Sequence, residues 1–285
     1  MRLSVAVALL TAAASPAAAW GDVGHKVTAL IAYRHLTPAA KARVGALLAA
    51  DSDTLRPPDI ASRATWADKY RTHHRETSEW HFADIEIDQP ELDGACAGVP
   101  KLAPGQVASA GPAKDCSINK VGEFEAELAS RDGTADEQII ALKFLIHILG
   151  DIDQPLHSSD HQDEGGNCVG LAPEAGGSKN LHSFWDTGVV KTLGPVPEAI
   201  ADKLDTETTA AQRKASARGT VRSWALEAFA IARKDAYALP SRPTRADKGS
   251  VTVSDAYQAQ VQQDAELQLR RAGVRIAVVL NRALR

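Results

Sequence analysis

Several residues with metal-binding side chains fall within one apolar stretch of the chain, residues 144–157. His147 and Asp151 are four residues apart, so an α-helix would place them on one face, about one turn apart. Pro155 ends such a helix because its ring lacks an N–H and disfavours the helical conformation of the preceding residue, which places His157 on the turn that follows. A lone His-x-x-x-Asp pair is more often a surface or capping hydrogen bond. In an apolar run, however, a buried charge costs several kcal/mol unless it is paired.

A second pair with the same spacing, His182 and Asp186, follows further along the chain. Imidazole and carboxylate groups are ligands that zinc accepts. Two such pairs and the additional His157 favour a metal centre over isolated hydrogen bonds. None of these candidate ligands is a cysteine, which suits an oxidising compartment where free thiols do not persist.

Residues 1–19 have the composition of a secretory signal peptide: a basic Arg2, an apolar stretch and small residues just before Trp20. The apolar stretch is too short to span a bilayer comfortably. Cleavage before Trp20 would leave a mature domain of residues 20–285 and change the formal net charge from −4 to −5, because Arg2 is lost. We therefore expect a secreted or periplasmic protein with no membrane segment after cleavage.

The elements that must position the candidate ligands are mainly helical. An apolar content of 44% and a charged content of 24% are ordinary for a globular protein, and the abundant alanine favours helices. Periodicity predicts helices over residues 134–150, 198–236 and 254–283, with Gly219 as a candidate break in the second. Thr134 and Glu137 predict a capping box at the start of the first. Alternating residues 80–87 predict an extended segment or a short β ribbon, and residues 88–115 lack periodicity and predict a long loop. The sequence thus predicts one all-α domain with long loops.

The three cysteines allow one disulfide and one remaining thiol. Cys96 and Cys116 flank the predicted long loop, so we favour them as the pair, with Cys168 left over. The sequence leaves the other pairings open.

The order of several short motifs resembles the S1/P1 nuclease family, whose fold is related to that of zinc-dependent phospholipase C. The resemblance extends from Trp20 into the C-terminal helix. The motifs that carry it are Trp20-Gly-x-x-Gly-His25, Trp66-Ala-Asp68, Trp80-His81-Phe82, residues 144–157, Gly165-Gly-Asn167 and Asn180-Leu-His182-x-x-Trp-Asp186.

This resemblance implies an all-α, multi-helix phospholipase C/P1 nuclease-like fold that binds three zinc ions. The first ion would be held by Asp68, His81, His147 and Asp151. The second would be held by His157, His182 and Asp186. The third would be held by His25, by Asp151 and by the α-amino nitrogen and carbonyl oxygen of Trp20.

The family activity implied is hydrolysis of single-stranded DNA and RNA to products with 5′-phosphates, together with removal of 3′-phosphates from nucleotides. A zinc-bound hydroxide near Asp68 would attack phosphorus, and Arg71, one helical turn further, could grip a phosphate oxygen. Phe82 would stack on a base, Asp84 would hydrogen-bond it, and Asn167 would lie near the same pocket. From spacing alone, Arg71 could equally be a solvated helix residue and Phe82 a core residue.

A net acidic chain is not an obvious nucleic-acid partner by charge alone. Bound zinc ions would make the centre locally positive and remove that objection. Two alternatives share the expected ligands: a zinc-dependent phospholipase C, and an exported zinc-binding protein without catalysis. We expect a monomer in each case.

Overall fold

The structure is a computed structural model and describes residues 20–172, 177–241 and 249–285. The predicted signal peptide, residues 1–19, lies outside the described residues. Helices dominate the described chain, and the all-α prediction is confirmed. The N-terminal half contains α1 (Gly21–Arg34), α2 (Pro38–Ala50), α3 (Ile60–Arg63), α4 (Trp66–Arg71), α5 (Leu92–Ala95), α6 (Ser117–Ala129) and α7 (Ala135–Asp153).

The C-terminal half of the described chain is also helical. Three short 3-10 segments occur in the described residues: Arg75–His81, Ala108–Ala110 and Pro155–His157. The α-helices are α8 (Leu181–Ser183), α9 (Val189–Thr192), α10 (Pro197–Glu207), α11 (Ala210–Ser216), α12 (Val221–Ile231) and α13 (Asp255–Ala283). The π-helical segments are Phe184–Gly188, between α8 and α9, and Ala232–Ala236, after α12.

Helix α7 is the central helix of the core. Thr134 and Glu137 form a capping box at its start, as the sequence predicts, because each side chain bonds the backbone N–H of the other. All residues from 141 to 153 are buried, so this helix is surrounded by protein along its second half. It runs three residues beyond the predicted end at residue 150. Pro155 bars the helical conformation only from Gln154, which is extended with ψ 120°.

Helix α13 packs against both α1 and α7. The C-terminal prediction is confirmed, since Ser254 caps the helix and it runs through Ala283. The predicted helix over residues 198–236 is broken into α10, α11 and α12. The break before α12 confirms the candidate break near Gly219, whereas the break before α11 was not predicted. The reason is local. The side chains of Thr209 and Thr220 each accept a hydrogen bond from the backbone N–H of the residue three positions later, and each so caps the start of a new helix.

The β structure is minimal and lies elsewhere than predicted. Gly170–Leu171 pairs in parallel with Ser250–Val251. The prediction of an extended segment over residues 80–87 is wrong at its start, because the 3-10 helix Arg75–His81 continues through His81. From Phe82 onward the chain is extended, and Glu86 forms an isolated bridge with Asp160.

The long loop before α6 is closed by a disulfide between Cys96 and Cys116, which confirms the favoured pairing. Cys168 has no disulfide partner. The loop is not wholly irregular, since it contains α5 and the 3-10 turn Ala108–Ala110. Across the described ranges, no helix combines the length and the apolar character needed to cross a bilayer.

Candidate metal centre

Helix α7 supplies two of the predicted ligands from one face. Nε2 of His147 lies 3.3 Å from Oδ2 of Asp151, one turn later on the helix, and both residues are completely buried. Nδ1 of His147 lies 2.7 Å from the carbonyl oxygen of Ala64. Because a carbonyl oxygen can only accept a hydrogen bond, Nδ1 carries the proton, and the lone pair of Nε2 lies on the side of the ring that faces Asp151.

Two further predicted ligands approach this face from the chain before α7. Nδ1 of His81, at the end of its 3-10 helix, lies 3.0 Å from Oδ2 of Asp151. Oδ1 of Asp68, on α4, lies 3.7 Å from Nε2 of His147 and 4.0 Å from Nδ1 of His81. The four side chains assigned to the first zinc therefore surround one small space.

Helix α1 brings His25 to the other side of Asp151. Nε2 of His25 lies 3.2 Å from Oδ1 of Asp151, and its ring stacks on that of His147 with centroids 3.9 Å apart. Trp20 is fully buried just before α1, and its indole N–H donates to the carbonyl oxygen of Gly150 at 2.8 Å. Trp20 therefore directly precedes the helix that carries His25, and its side chain contacts Gly150, the residue before Asp151. Its proposed α-amino contact remains a prediction.

A second group forms where the turn after α7 meets α8 and its π-helical extension. Nε2 of His182 lies 3.2 Å from Oδ2 of Asp186, and Nε2 of His157 lies 3.6 Å from Oδ1 of the same carboxylate. Nδ1 of His157 lies 2.9 Å from the carbonyl oxygen of His81, which joins this group directly to the first. Nδ1 of His182 is likewise held by a carbonyl oxygen, that of Gly165, at 2.7 Å.

These contacts fit metal ligands better than a closed hydrogen-bond network. Since carbonyl groups fix the Nδ1 protons of His157 and His182, their Nε2 lone pairs face each other at 3.1 Å when both rings are neutral. Two lone pairs at that separation repel unless a cation or proton lies between them. In addition, several buried polar atoms have no hydrogen-bond partner: both ring nitrogens of His25, both carboxylate oxygens of Asp68, Nε2 of His81, Oδ1 of Asp151 and Oδ2 of Asp186.

The pKa values differ between the two groups. Burial lowers the pKa of His81 to about 4 and that of His147 to about 3, so both rings are neutral near pH 7. Burial also lowers the pKa of His157, but the hydrogen bond and charge of Asp186 outweigh it and raise this pKa to about 9. Burial raises the pKa of Asp186, yet His182 and His157 lower it to about 2. A cation entering the second group must therefore displace a proton.

A cavity of about 400 Å³ adjoins the second group and contains all the predicted substrate contacts. Arg71 forms an ion pair with Asp68, with a guanidinium nitrogen 2.8 Å from Oδ1, and so links the cavity to the first group. Removal from bulk water and the neighbouring Asp160 carboxylate raise the pKa of Asp84 to about 7, although His157 and His182 act in the opposite direction. The lining residues include Arg71, Arg75, Phe82, Asp84, His157, Asn167 and His182.

Some residues at the centre received no predicted role. Gln154 is fully buried and donates to Asp186, and Arg75 and Asp160 line the cavity. The sequence did offer a signal for Gln154, because this amide lies between the candidate ligands Asp151 and His157 and directly precedes Pro155. Nothing in the sequence indicated a role for Arg75. A fourth group, comprising Glu86, Asp88 and His161, has donor atoms close together, but Asp88 is 66% exposed and forms a surface ion pair with His161 at 3.0 Å.

Comparisons with known proteins agree with the geometry. Nuclease P1 from Penicillium citrinum is 28% identical over 183 residues, which are 61% of this chain and 59% of that protein. Nuclease S1 from Aspergillus oryzae is 32% identical over 172 residues, 60% of this chain and 54% of that protein. These matches cover less than two thirds of either relative. Endonuclease 2 from Arabidopsis thaliana is 26% identical over 279 residues, 92% of this chain and 90% of that protein.

The family model described as S1/P1 Nuclease matches residues 20–285. This range begins at Trp20, where the motif resemblance also begins, and includes every predicted ligand. The resemblance inferred from the motifs is therefore confirmed. The chain belongs to the S1/P1 nuclease family.

Proposed function

We propose that this protein is an exported, zinc-dependent phosphodiesterase that hydrolyses single-stranded DNA and RNA to products with 5′-phosphates. We further propose that residues 20–285 form its single catalytic domain. One observation carries the proposal: buried groups of His and Asp donors adjoin a cavity that contains a cationic and an aromatic side chain. Relatives named as nucleases support a phosphodiester substrate.

The proposed ligands divide into three sets. Asp68, His81, His147 and Asp151 would hold one zinc, and His157, His182 and Asp186 a second. Trp20, His25 and Asp151 would hold the third, with Asp151 shared. When bound, such ions lower the pKa of coordinated water and neutralise charge on phosphoryl oxygens. We also propose a monomer, because none of these ligand sets requires a residue from a second copy of the chain.

Asp68 and Arg71 have complementary roles in this proposal. The Asp68 carboxylate, whose pKa is raised by burial, would accept a hydrogen bond from the attacking water and orient it. Arg71 is ion-paired with Asp68, and its planar guanidinium has the geometry that binds phosphate oxygens. The same side chain can therefore position Asp68 and bind a phosphate oxygen in the cavity.

The cavity supports recognition of one unpaired nucleotide at a time. Phe82 offers a ring for stacking, which is worth about 1–3 kcal/mol per base and tolerates different sequences. With a pKa of about 7, the Asp84 carboxyl is partly protonated near neutral pH and can donate to or accept from a base edge. Asn167 supplies an amide to the same space. A base stacked in a duplex is not available to these groups, so we expect single strands to be preferred.

The deciding experiment measures release of fragments from single-stranded DNA and RNA by the exported protein, before and after chelation and zinc restoration. We expect chelation to abolish hydrolysis, zinc to restore it and the products to carry 5′-phosphates. Nucleoside 3′-phosphates serve as a second substrate for the nucleotidase activity. Hydrolysis of phosphatidylcholine alone would instead establish a phospholipase C, and tight zinc binding without phosphate-ester cleavage would establish a binding protein.

The proposed role of the Trp20 amine has its own test. An α-amine titrates near 7.7–8.0 and must be deprotonated to bind zinc, whereas an amide nitrogen cannot serve. Signal cleavage before Trp20 would therefore complete the third set of ligands. A variant that retains one extra residue before Trp20 should bind one zinc fewer per chain. Three bound ions and full activity in that variant would contradict the assignment.

A further inference from the structure

We infer that Gln154 is a positioning residue, which fixes the Asp186 carboxylate as a ligand and thereby sets the zinc affinity of the second group. This inference rests on the proposed function, because it requires that His157, His182 and Asp186 bind zinc. It assigns to Gln154 a separate task that the zinc ligands do not perform.

The amide of Gln154 has only one orientation that satisfies its neighbours. The side chain is fully buried, and its Oε1 accepts the backbone N–H of Leu156 at 2.6 Å. Since an N–H requires an acceptor, oxygen must face Leu156 and the NH₂ group must face Asp186, to which it donates. The orientation is therefore set by a backbone group and does not depend on the carboxylate.

The two oxygens of Asp186 are consequently used differently. Oδ1 receives the Gln154 amide, whereas Oδ2 has no hydrogen-bond partner and lies 3.2 Å from Nε2 of His182. An amide on one oxygen prevents the carboxylate from rotating about its last bond. It thus leaves Oδ2 directed at the space shared with the histidine nitrogens.

The position of Gln154 in the chain also links Asp186 to His157. Gln154 follows the last residue of α7 and caps the 3-10 turn that presents His157. The Gln154 side chain therefore binds two parts of the site. Its Oε1 accepts a hydrogen bond from the turn, and its Nε2 donates to Asp186, which is 32 residues away in sequence. Loss of the amide donor alone would free Asp186 while leaving the turn capped.

Gln154→Glu separates these two tasks. The new carboxylate can still accept the Leu156 N–H, but in its ionised form it cannot donate, and it then places a second negative charge beside Asp186. Partners of ligand groups typically change metal affinity about 10–100-fold when they are removed. We expect the variant to bind zinc at the second group about 10–100-fold more weakly, with the other two proposed ions unaffected.

The measurement is zinc content per exported chain, after dialysis against a series of buffered free-zinc concentrations. Gln154→Glu should lose one ion at concentrations where the wild type retains all of its zinc, and excess zinc should restore the hydrolysis rate. Gln268→Glu is the matched control. Gln268 is also fully buried and donates from Nε2, but to the backbone oxygen of Asp153, so it should keep the wild-type zinc profile.

If the glutamate variant fails to fold, Gln154→Met provides a second test, because it removes the donor to Asp186 without adding charge, although it also removes the acceptor of the Leu156 N–H. Wild-type zinc affinity in the folded variants would overturn the inference, as would an equal loss in Gln268→Glu. A wild-type protein without zinc would overturn the proposed function as well, and this outcome is distinguishable from the others.

Discussion

Gly273→Ala should separate two helices of the core, because Gly273 lies where α13 crosses α1 most closely. A Cβ atom at this position would lie 2.5 Å from Cγ2 and 2.6 Å from Cβ of Ile31, and 3.1 Å from the carbonyl oxygen of Thr28. Carbon atoms pack at about 3.5–4.0 Å, so the helices must move apart by roughly 1 Å. The contact involves a β-branched Cβ and a backbone oxygen, which cannot rotate away.

The size of the effect follows from two opposing contributions. Overpacking a core typically costs about 1–3 kcal/mol, whereas replacing glycine by alanine within a helix gains about 1 kcal/mol. Gly122→Ala supplies the matched control, since Gly122 is exposed on α6 and a Cβ there would meet no atom within 4 Å. The helical gain is common to both variants. The difference in their unfolding free energies should therefore equal the overpacking cost, about 1–3 kcal/mol.

Urea denaturation in zinc-containing buffer measures that difference for the two variants and the wild type. We also expect Gly273→Ala to weaken zinc binding, because α1 carries His25 one turn before Thr28, and Thr28 Oγ1 donates to the carbonyl oxygen of His25 at 3.0 Å. The control should bind zinc normally. Equal stability of the two alanine variants would refute the proposed close crossing of the helices.

Three further predictions concern the centre and the scaffold around it. Zinc binding to the second group should release about one proton at pH 7.5, because the raised His157 pKa of about 9 keeps that ring protonated beside Asp186. The affinity for zinc should therefore rise with pH up to about 9. Calorimetry in buffers of different ionisation enthalpy measures the number of protons released. For the zinc-free protein, the stability that protonated His157 contributes is complete below its ordinary pKa of 6.5 and declines as pH rises through 9; constant stability over this range would contradict the assignment. Lys143→Met should lower the unfolding free energy by about 2–3 kcal/mol, because it removes an ammonium whose side chain is 3% exposed and leaves Asp51 and Asp53 without that partner; urea denaturation tests this against an exposed lysine variant. Joint replacement of Cys96 and Cys116 by serine should cost about 3 kcal/mol, as expected for a loop of 20 residues, and an unchanged melting temperature would contradict it.

The order of motifs in the sequence was sufficient to predict the fold class and the family. The all-α class followed from helical periodicity and alanine content, and the capping box at Thr134 correctly marked the start of α7. The predicted break at Pro155 was also correct, because proline acts on the residue beside it. The candidate break near Gly219 was correct, but the prediction for residues 198–236 missed the second break, where the cap at Thr209 competes with helical periodicity.

Asp153 illustrates a limit of spacing. It lies only two residues after Asp151 in the sequence, but it is ion-paired with the buried Arg275 of α13. Arg275 is 122 residues away in sequence, so no local pattern could identify this partner. Tertiary packing decides which of several nearby carboxylates faces the histidines.

Residue types and short spacings thus determined which side chains could bind metal, because those depend on local helix geometry and on donor chemistry. Only the tertiary structure showed that the carbonyl groups of Ala64, His81 and Gly165 fix the histidine protons, and that Gln154 reaches Asp186. These partners are remote in sequence and are brought together by burial of the helices that carry them. The orientation of each donor is therefore a property of the packed core.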